Sequence, residues 1–310
     1  MNNLKKVGLT ALAGALATVS VNAADLSVTG TASINLYQEE GKDSGNGWTM
    51  ADVITFSASQ ELDNGFVVSV KHTLDDQTVD GRSMTVDMGD NGVFTFAGID
   101  GSSVLGAKDD TTPTVGEEAW GDVTDATGAL GGASSNDMMN YSHSSLIDGL
   151  TLSVAYVPSG GTEAEESSVD YGAEYTTDGG LTVGVAMGEN NSDADASIDG
   201  SIIYANMVVG DAFTVGATIS EHDSETANAD VDFQAYGVSF AASEELSLSV
   251  NMSSHDYEAA SKQDQDAMGI SVAYVMGSMT FTANHNTIDN IAGVGTDGRS
   301  GYNLNLAFAF

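Results

Sequence analysis

The sequence predicts an all-β fold: a transmembrane antiparallel β-barrel of sixteen strands, with short periplasmic turns at one end and long extracellular loops at the other. Three observations carry this. Apolar and small polar residues alternate with period two through most of the chain, as in Leu150-Thr151-Leu152-Ser153-Val154-Ala155-Tyr156 and Leu246-Ser247-Leu248-Ser249-Val250-Asn251-Met252, the mark of strands with two different faces. Short and long connections take turns along the chain, which is the organisation of outer-membrane barrels. The polar face is built from Thr, Ser, Gly, Asn and Ala, while the apolar parity of the clear strands is almost free of ionisable groups, His72 excepted. A wet interior and a lipid-facing exterior ask for that division.

The N-terminal segment stands apart from the fold. Lys5 and Lys6 precede the apolar run Val7 to Val21, and Val21-Asn22-Ala23 is a small-residue cleavage site. The segment reads as a secretory signal peptide over 1–23, cleaved between Ala23 and Ala24, with the barrel domain over 24–310. No later run reaches the ~18 apolar residues of a spanning helix; strands of a barrel need none.

Strands are expected at 25–38, 51–62, 65–74, 84–89, 92–98, 138–144, 149–157, 168–177, 180–187, 198–209, 212–220, 231–242, 245–254, 266–276, 278–286 and 301–310. The short connections include Asp63-Asn64-Gly65, Asp90-Asn91-Gly92 and Asp148-Gly149, strong hairpin signals because glycine accepts positive φ. The long ones fall near 39–50, 75–83, 99–137, 158–167, 188–197, 221–230, 255–265 and 287–300 and are acidic and rich in Gly and Ser. The even strand count puts both termini in the periplasm. Closure is required, because an open sheet edge in lipid leaves unpaired backbone groups at several kcal/mol each. Pro113 and Pro158 both lie in loops, so no ladder loses a donor.

Composition excludes several classes. Removing Lys5 and Lys6 from the 8 basic residues leaves 6 against 45 acidic ones, a net of −39 for residues 24–310. Nucleic-acid binding, which needs Lys and Arg for phosphates, is excluded. There is no cysteine, so a disulfide-stapled secreted scaffold is excluded too. A catalytic role has no support: Ser144 and Ser145 adjoin His143, but neighbours on a strand point to opposite faces, and neither G-x-S-x-G nor H-E-x-x-H occurs.

The last strand, Tyr302-Asn303-Leu304-Asn305-Leu306-Ala307-Phe308-Ala309-Phe310, ends on an aromatic. Here the chain resembles the general porin family of Gram-negative bacteria. Ala24-Asp25-Leu26-Ser27-Val28-Thr29-Gly30 resembles that family's first strand, and Phe56 to Gly65 its second strand and first turn. Asn140-Tyr141-Ser142-His143-Ser144 through Gly149-Leu150 resembles the strand and turn after its third loop. The resemblance implies an outer-membrane homotrimer of sixteen-stranded barrels among lipid and lipopolysaccharide. It implies that Phe308 and Phe310 serve as the signal read by the β-barrel assembly machinery, and that the third loop folds inward as a pore constriction. The function it implies is passive diffusion of small hydrophilic solutes and ions. A substrate-specific channel and a structural or adhesive outer-membrane β-protein are the alternatives.

The third loop, about 99–137, carries Asp100, Asp109, Asp110, Glu117, Glu118, Asp122, Asp125 and Asp137 with Lys108 as its only base. The family often faces such acids with an Arg and Lys cluster on the wall; this chain departs from that pattern. By alternation Lys71 projects into the lumen, with Arg82 near the rim of the second loop; Asp87, Asp170 and Glu174 have lumen-facing parity. A net negative neck and preference for cations follow from Coulomb attraction. No organic cofactor is expected. Ca²⁺ or Mg²⁺ shared among outer-loop carboxylates is expected instead, although Asp193 to Gly200 lacks the glycine and glutamate of an EF-hand.

Overall fold

The computed structural model describes residues 25–42, 45–76, 78–128, 136–159, 166–191, 197–210 and 212–310. The signal segment, its cleavage site and residues 193–196 of the stretch from Asp193 to Gly200 lie outside the described residues.

The sixteen strands are β1 Asp25–Glu39, β2 Trp48–Glu61, β3 Val67–Asp75, β4 Thr78–Asp87, β5 Val93–Ile99, β6 Met138–His143, β7 Leu150–Val157 and β8 Ser168–Thr176, then β9 Leu181–Asn190, β10 Ile198–Val209, β11 Phe213–Ser224, β12 Val231–Ala241, β13 Leu246–Tyr257, β14 Gln265–Met276, β15 Met279–Asp289 and β16 Arg299–Ala309. Each pairs antiparallel with its neighbours in sequence, and β1 pairs with β16 to close the barrel. No described helix is long and apolar enough to cross a membrane; the chain crosses with strands.

Burial is inverted relative to a soluble protein. On β13 the apolar Leu248, Val250 and Met252 are 41%, 47% and 50% exposed, whereas Ser249, Asn251 and Ser253 are buried. Apolar side chains face outward to lipid, and polar ones face in. This is why alternation, rather than hydropathy, exposes the strands in the sequence.

One expectation fails. The predicted 75–83 loop does not exist: β4 begins at Thr78, so only residues 76–77 connect it to β3. The β3–β4 register slips between Thr73 and Leu74, leaving Asp80 of β4 extra, and the β4–β5 register slips between Arg82 and Ser83, leaving Gly98 of β5 extra; such bulges break the period-two pattern by which strands are read. Arg82 is corrected with it. It lies within β4 opposite His72, on the outward parity of Val70 and Met84, and its guanidinium lies over the outward side of Gly98. It is not part of the pore wall.

Candidate functional site

The third loop occupies residues between Ile99 and Met138 and is described over 100–128 and 136–137. It lies inside the barrel. Working along it, Leu105 N donates to Asp170 at 3.1 Å, and Asn206 donates to the Thr111 carbonyl at 2.8 Å. Val115 N donates to Ser249 Oγ at 3.0 Å, and Asn286 donates to the Glu118 and Gly121 carbonyls at 2.8 and 2.9 Å. Thr127 exchanges hydrogen bonds with Gln265 at 2.9 Å, and His255 meets the Gly128 carbonyl at 2.9 Å. These wall partners come from β8, β10, β13, β14 and β15 and all share the inward parity. The loop therefore follows the inner wall.

Apolar contacts seat it as well. Val104 and Leu105 pack with Met138, Ala155, Ala186 and Ile202. Ala119 and Val123 pack with Ala267, Ile288 and Ile291. Trp120 meets Phe233 edge-on with ring centroids 5.2 Å apart. Burying each large aliphatic here contributes about 1.5–3 kcal/mol. Ile202, Phe233 and Ile288 occupy inward positions where the strand pattern calls for small polar residues; such apolar residues on the wet face are the sequence signal of a docked loop.

The acids divide into two groups. Asp170 is buried on β8 and accepts from the loop backbone, and Glu174 pairs with Lys108 at 2.5 Å and accepts from Tyr204. Asp87 accepts from Gly89 N at 2.9 Å and caps a periplasmic turn. Asp100 sits at the loop root, its amide donating to Asn136 at 3.3 Å, and Asp125 pairs with Lys42 at 2.9 Å. The carboxylates of Asp87, Asp125, Asp170 and Glu174 hold structure together, whereas Asp100 contributes its backbone.

Asp109, Asp110, Glu117 and Glu118 form no ion pair among the described residues. Asp110 and Glu117 are exposed toward the lumen, and Asp109 and Glu118 are half-buried. Burial, and then repulsion from Asp110, pushes Asp109 up to about 6. Burial, and then repulsion from Asp110, Glu117 and Asp109, pushes Glu118 up to about 7. Glu117 is raised by burial and by Asp122 and Asp110. Asp122 is raised mainly by burial, partly offset by the nearby Asn303 and Asn284 side chains. These groups act on one another as a single patch of negative charge.

Across from the loop, β1 to β5 present hydroxyls. Thr55 meets Thr73 at 3.3 Å and Thr85 meets Thr95 at 3.1 Å. Lys71 lies on this face, opposite Ser57 and Ser83, and makes no ion pair among the described residues. At the periplasmic end, Ser145 Oγ does approach His143 Nδ1, at 3.4 Å, because β6 has ended and the chain turns there. The Ser145 hydroxyl also donates to the Asp90 carbonyl at 2.8 Å, tying two turns together. Among the described residues no group of three or more His, Asp or Glu side chains is arranged to hold a metal.

Comparison with known proteins agrees with this architecture. No curated protein sequence matches the chain. Among solved structures it is similar to the anion-selective porin from Comamonas acidovorans, with TM-score 0.70 and 10% identity over 93% of this chain and 100% of that one. It is also similar to the outer-membrane expressed OmpT of Vibrio cholerae, with TM-score 0.70 and 13% identity over 94% and 99%. A third is Salmonella typhi OmpF in complex with daunomycin, with TM-score 0.70 and 15% identity over 93% and 98%. At these identities the likeness is one of fold. A model of the Gram-negative porin family matches residues 8–310; the chain belongs to that family, and it is a β-barrel channel protein of the bacterial outer membrane.

Proposed function

We propose that the channel passes small hydrophilic solutes and favours cations. The observation that carries this is the unpaired patch of Asp109, Asp110, Glu117 and Glu118 in the inward loop, faced by a hydroxyl wall with one base, Lys71. The other base near the neck, Lys108, is engaged by Glu174. A confined neck with excess negative charge concentrates counter-ions and raises their flux. The test is the reversal potential of the purified protein in a planar bilayer under a KCl gradient, before and after Asp109→Asn, Asp110→Asn, Glu117→Gln and Glu118→Gln are combined. Cation preference that falls in the variant supports the reading; anion preference in the parent protein overturns it.

The same proposal includes a homotrimer. Outward tyrosines that suit a membrane interface, Tyr156, Tyr171, Tyr175, Tyr236, Tyr274 and Tyr302, are all exposed on β7 to β16. The outward face of β1 to β5 has no tyrosine and carries Gly30, Ala32, Ala58 and Gly98 instead, along with His72 and Arg82. Interfacial tyrosines mark lipid; the face without them also exposes Trp48 and Phe56, and its small residues suit contact with other copies. Conductance steps in groups of three are the expected result. We also propose that divalent ions bind at the outer rim, where Asp266 opposes Asp289 and Asp232 opposes Asp256; like charges directly opposite destabilise a sheet, and Ca²⁺ should raise thermal stability.

A further inference from the structure

Three polar atoms of one loop residue, Thr124, are held by a single ion pair at the seam where the barrel closes. Glu39 Oε2 accepts from Thr124 N at 3.1 Å and from Thr124 Oγ1 at 2.6 Å. Arg299 Nη2 donates to the Thr124 carbonyl at 3.0 Å. The two side chains pair with each other, Arg299 Nη1 on Glu39 Oε1, with side-chain exposures of 10% and 1%. Tyr37 donates to the same Glu39 oxygen at 2.7 Å, and Arg299 Nε donates to Asp297 at 2.9 Å. Beside Thr124, Asp125 is paired by Lys42 at 2.9 Å.

The seam itself does not need this pair. β1 and β16 are joined by backbone register from Thr31 opposite Ala309 to Glu39 opposite Gly301, and Glu40 N donates to the Ser300 carbonyl at 2.8 Å beyond it. The Glu39 carboxylate points inward and spends its acceptor capacity on the loop. A buried charge pair whose partners are also hydrogen-bonded is costly to break, because either member left alone is a buried unpaired charge. Such a pair fixes geometry.

We infer that Glu39 and Arg299 are positioning residues for the constriction, gripping the loop at Thr124 and so setting how far the stretch bearing Asp122 projects into the conducting path. The loop has wall on one side and water-filled lumen on the other. Released at Thr124, that segment can move only into the lumen. The loop stays tied on both sides of this point, through Asn286 to Glu118 and Gly121 and through Gln265 to Thr127, so the motion is a local bulge of the stretch between Gly121 and Thr127.

The inference rests on the loop bordering the channel, which stepwise current from the parent protein tests separately. The experiment compares single-channel recordings of the full chain carrying Glu39→Gln, Thr124→Val or Thr124→Ser, each checked for heat-modifiable gel migration as a measure of the closed barrel. Thr124→Val leaves the ion pair intact and removes only the hydroxyl bond; Thr124→Ser restores that bond. The expected result is loss of steady open current, with partial closures and a lower closing voltage, in Glu39→Gln. The same changes should be smaller in Thr124→Val and absent in Thr124→Ser, with the gel shift kept throughout. Two results overturn the inference. One is parental current, noise and closing voltage in Glu39→Gln. The other is a Glu39→Gln barrel that no longer shows the gel shift while Thr124→Val conducts like the parent, since the pair would then serve only the seam.

Discussion

Lys108 Nζ lies 2.5 Å from Glu174 Oε2, so the only base in the inward loop is neutralised by the wall behind it. Lys108 also sits over the Tyr204 ring at 5.6 Å, and Tyr204 donates to the same carboxylate. The contact ties the root of the loop to β8 and β10. It also hides the one charge that could offset Asp109 and Asp110 nearby.

Breaking this pair from opposite sides should therefore move ion selectivity in opposite directions. Glu174→Gln frees the ammonium to face the loop acids, and cation preference should fall. Lys108→Gln leaves an extra carboxylate, and cation preference should rise. Both should cost about 1 kcal/mol of stability, between the values for exposed and buried pairs. Reversal potentials under a salt gradient check the first effect and thermal loss of the barrel gel shift the second. Equal shifts of one sign would contradict the charge argument.

Selectivity should also titrate well above the ordinary carboxylate range. Glu118 is raised to about 7 and Asp109 to about 6, in both cases chiefly by burial. As pH falls from about 8 to 5 both take up protons, the neck loses negative charge, and cation preference should decline. The sign for stability follows from linkage. A raised folded pKa favours the protonated fold, so this contribution is full below the ordinary values of 3.8 and 4.5 and is lost as pH rises from there through about 6 and about 7. Bilayer reversal potentials at stepped pH test the first point, and Glu118→Gln should remove the upper part of the titration.

The chain end gives a prediction that separates backbone from side chain. Phe310 N donates to the Gly30 carbonyl and Gly30 N donates to the Phe310 carbonyl, both at 2.9 Å, and the Phe310 ring lies over Gly30. Deleting Phe310 should lose both bonds, about 1 kcal/mol each, and slow assembly. Phe310→Ala keeps the bonds and loses the ring. If the terminal aromatic is the assembly signal, Phe310→Ala should be depleted from the outer membrane in cells yet refold in detergent with a gel shift close to that of the parent protein. Parental levels in the membrane would sink that role for Phe310.

Much of the barrel was legible in the sequence, because period-two alternation is a direct consequence of a sheet with lipid on one side and water on the other. Asn64-Gly65 and Asn91-Gly92 fell at turns for the same local reason: Gly65 and Gly92 have φ of 83° and 86°. The start of β4 was hidden because the bulge at Asp80 shifts side-chain parity, and with it the facing of Arg82. The docking of the third loop was hidden for a different reason. It depends on pairs far apart in the chain, such as Glu39 with Thr124 and Asn286 with Glu118, which no local pattern encodes. Acidic residues looked alike in sequence, yet Asp125 and Asp170 are engaged in contacts while Asp110 and Glu117 stay free of ion pairs.

The loop's route along the wall is marked by glycines where it comes closest, and this supplies the last test. A Cβ on Gly237 of β12 would meet the Pro113 carbonyl, Thr112 Cγ2 at 2.8 Å and Pro113 N at 3.0 Å. A Cβ on Gly301 of β16 would strike the Asp122 carbonyl. The Pro113 and Asp122 atoms are backbone atoms of the loop, so it cannot yield by rotating a side chain, and the strand is locked in its ladder. Gly237→Ala and Gly301→Ala should therefore push the loop inward, lowering conductance, with about 1–3 kcal/mol lost to overpacking. Gly81 of β4 faces the same lumen, and its added Cβ would meet only side chains at ordinary distances, Thr73 at 3.4 Å and Asp100 at the loop root at 3.8 Å. Gly81→Ala should conduct like the parent protein. Should all three variants conduct alike, close packing of wall against loop does not set the bore, and the hydrogen bonds to Asn206, Ser249 and Asn286 hold the loop by themselves.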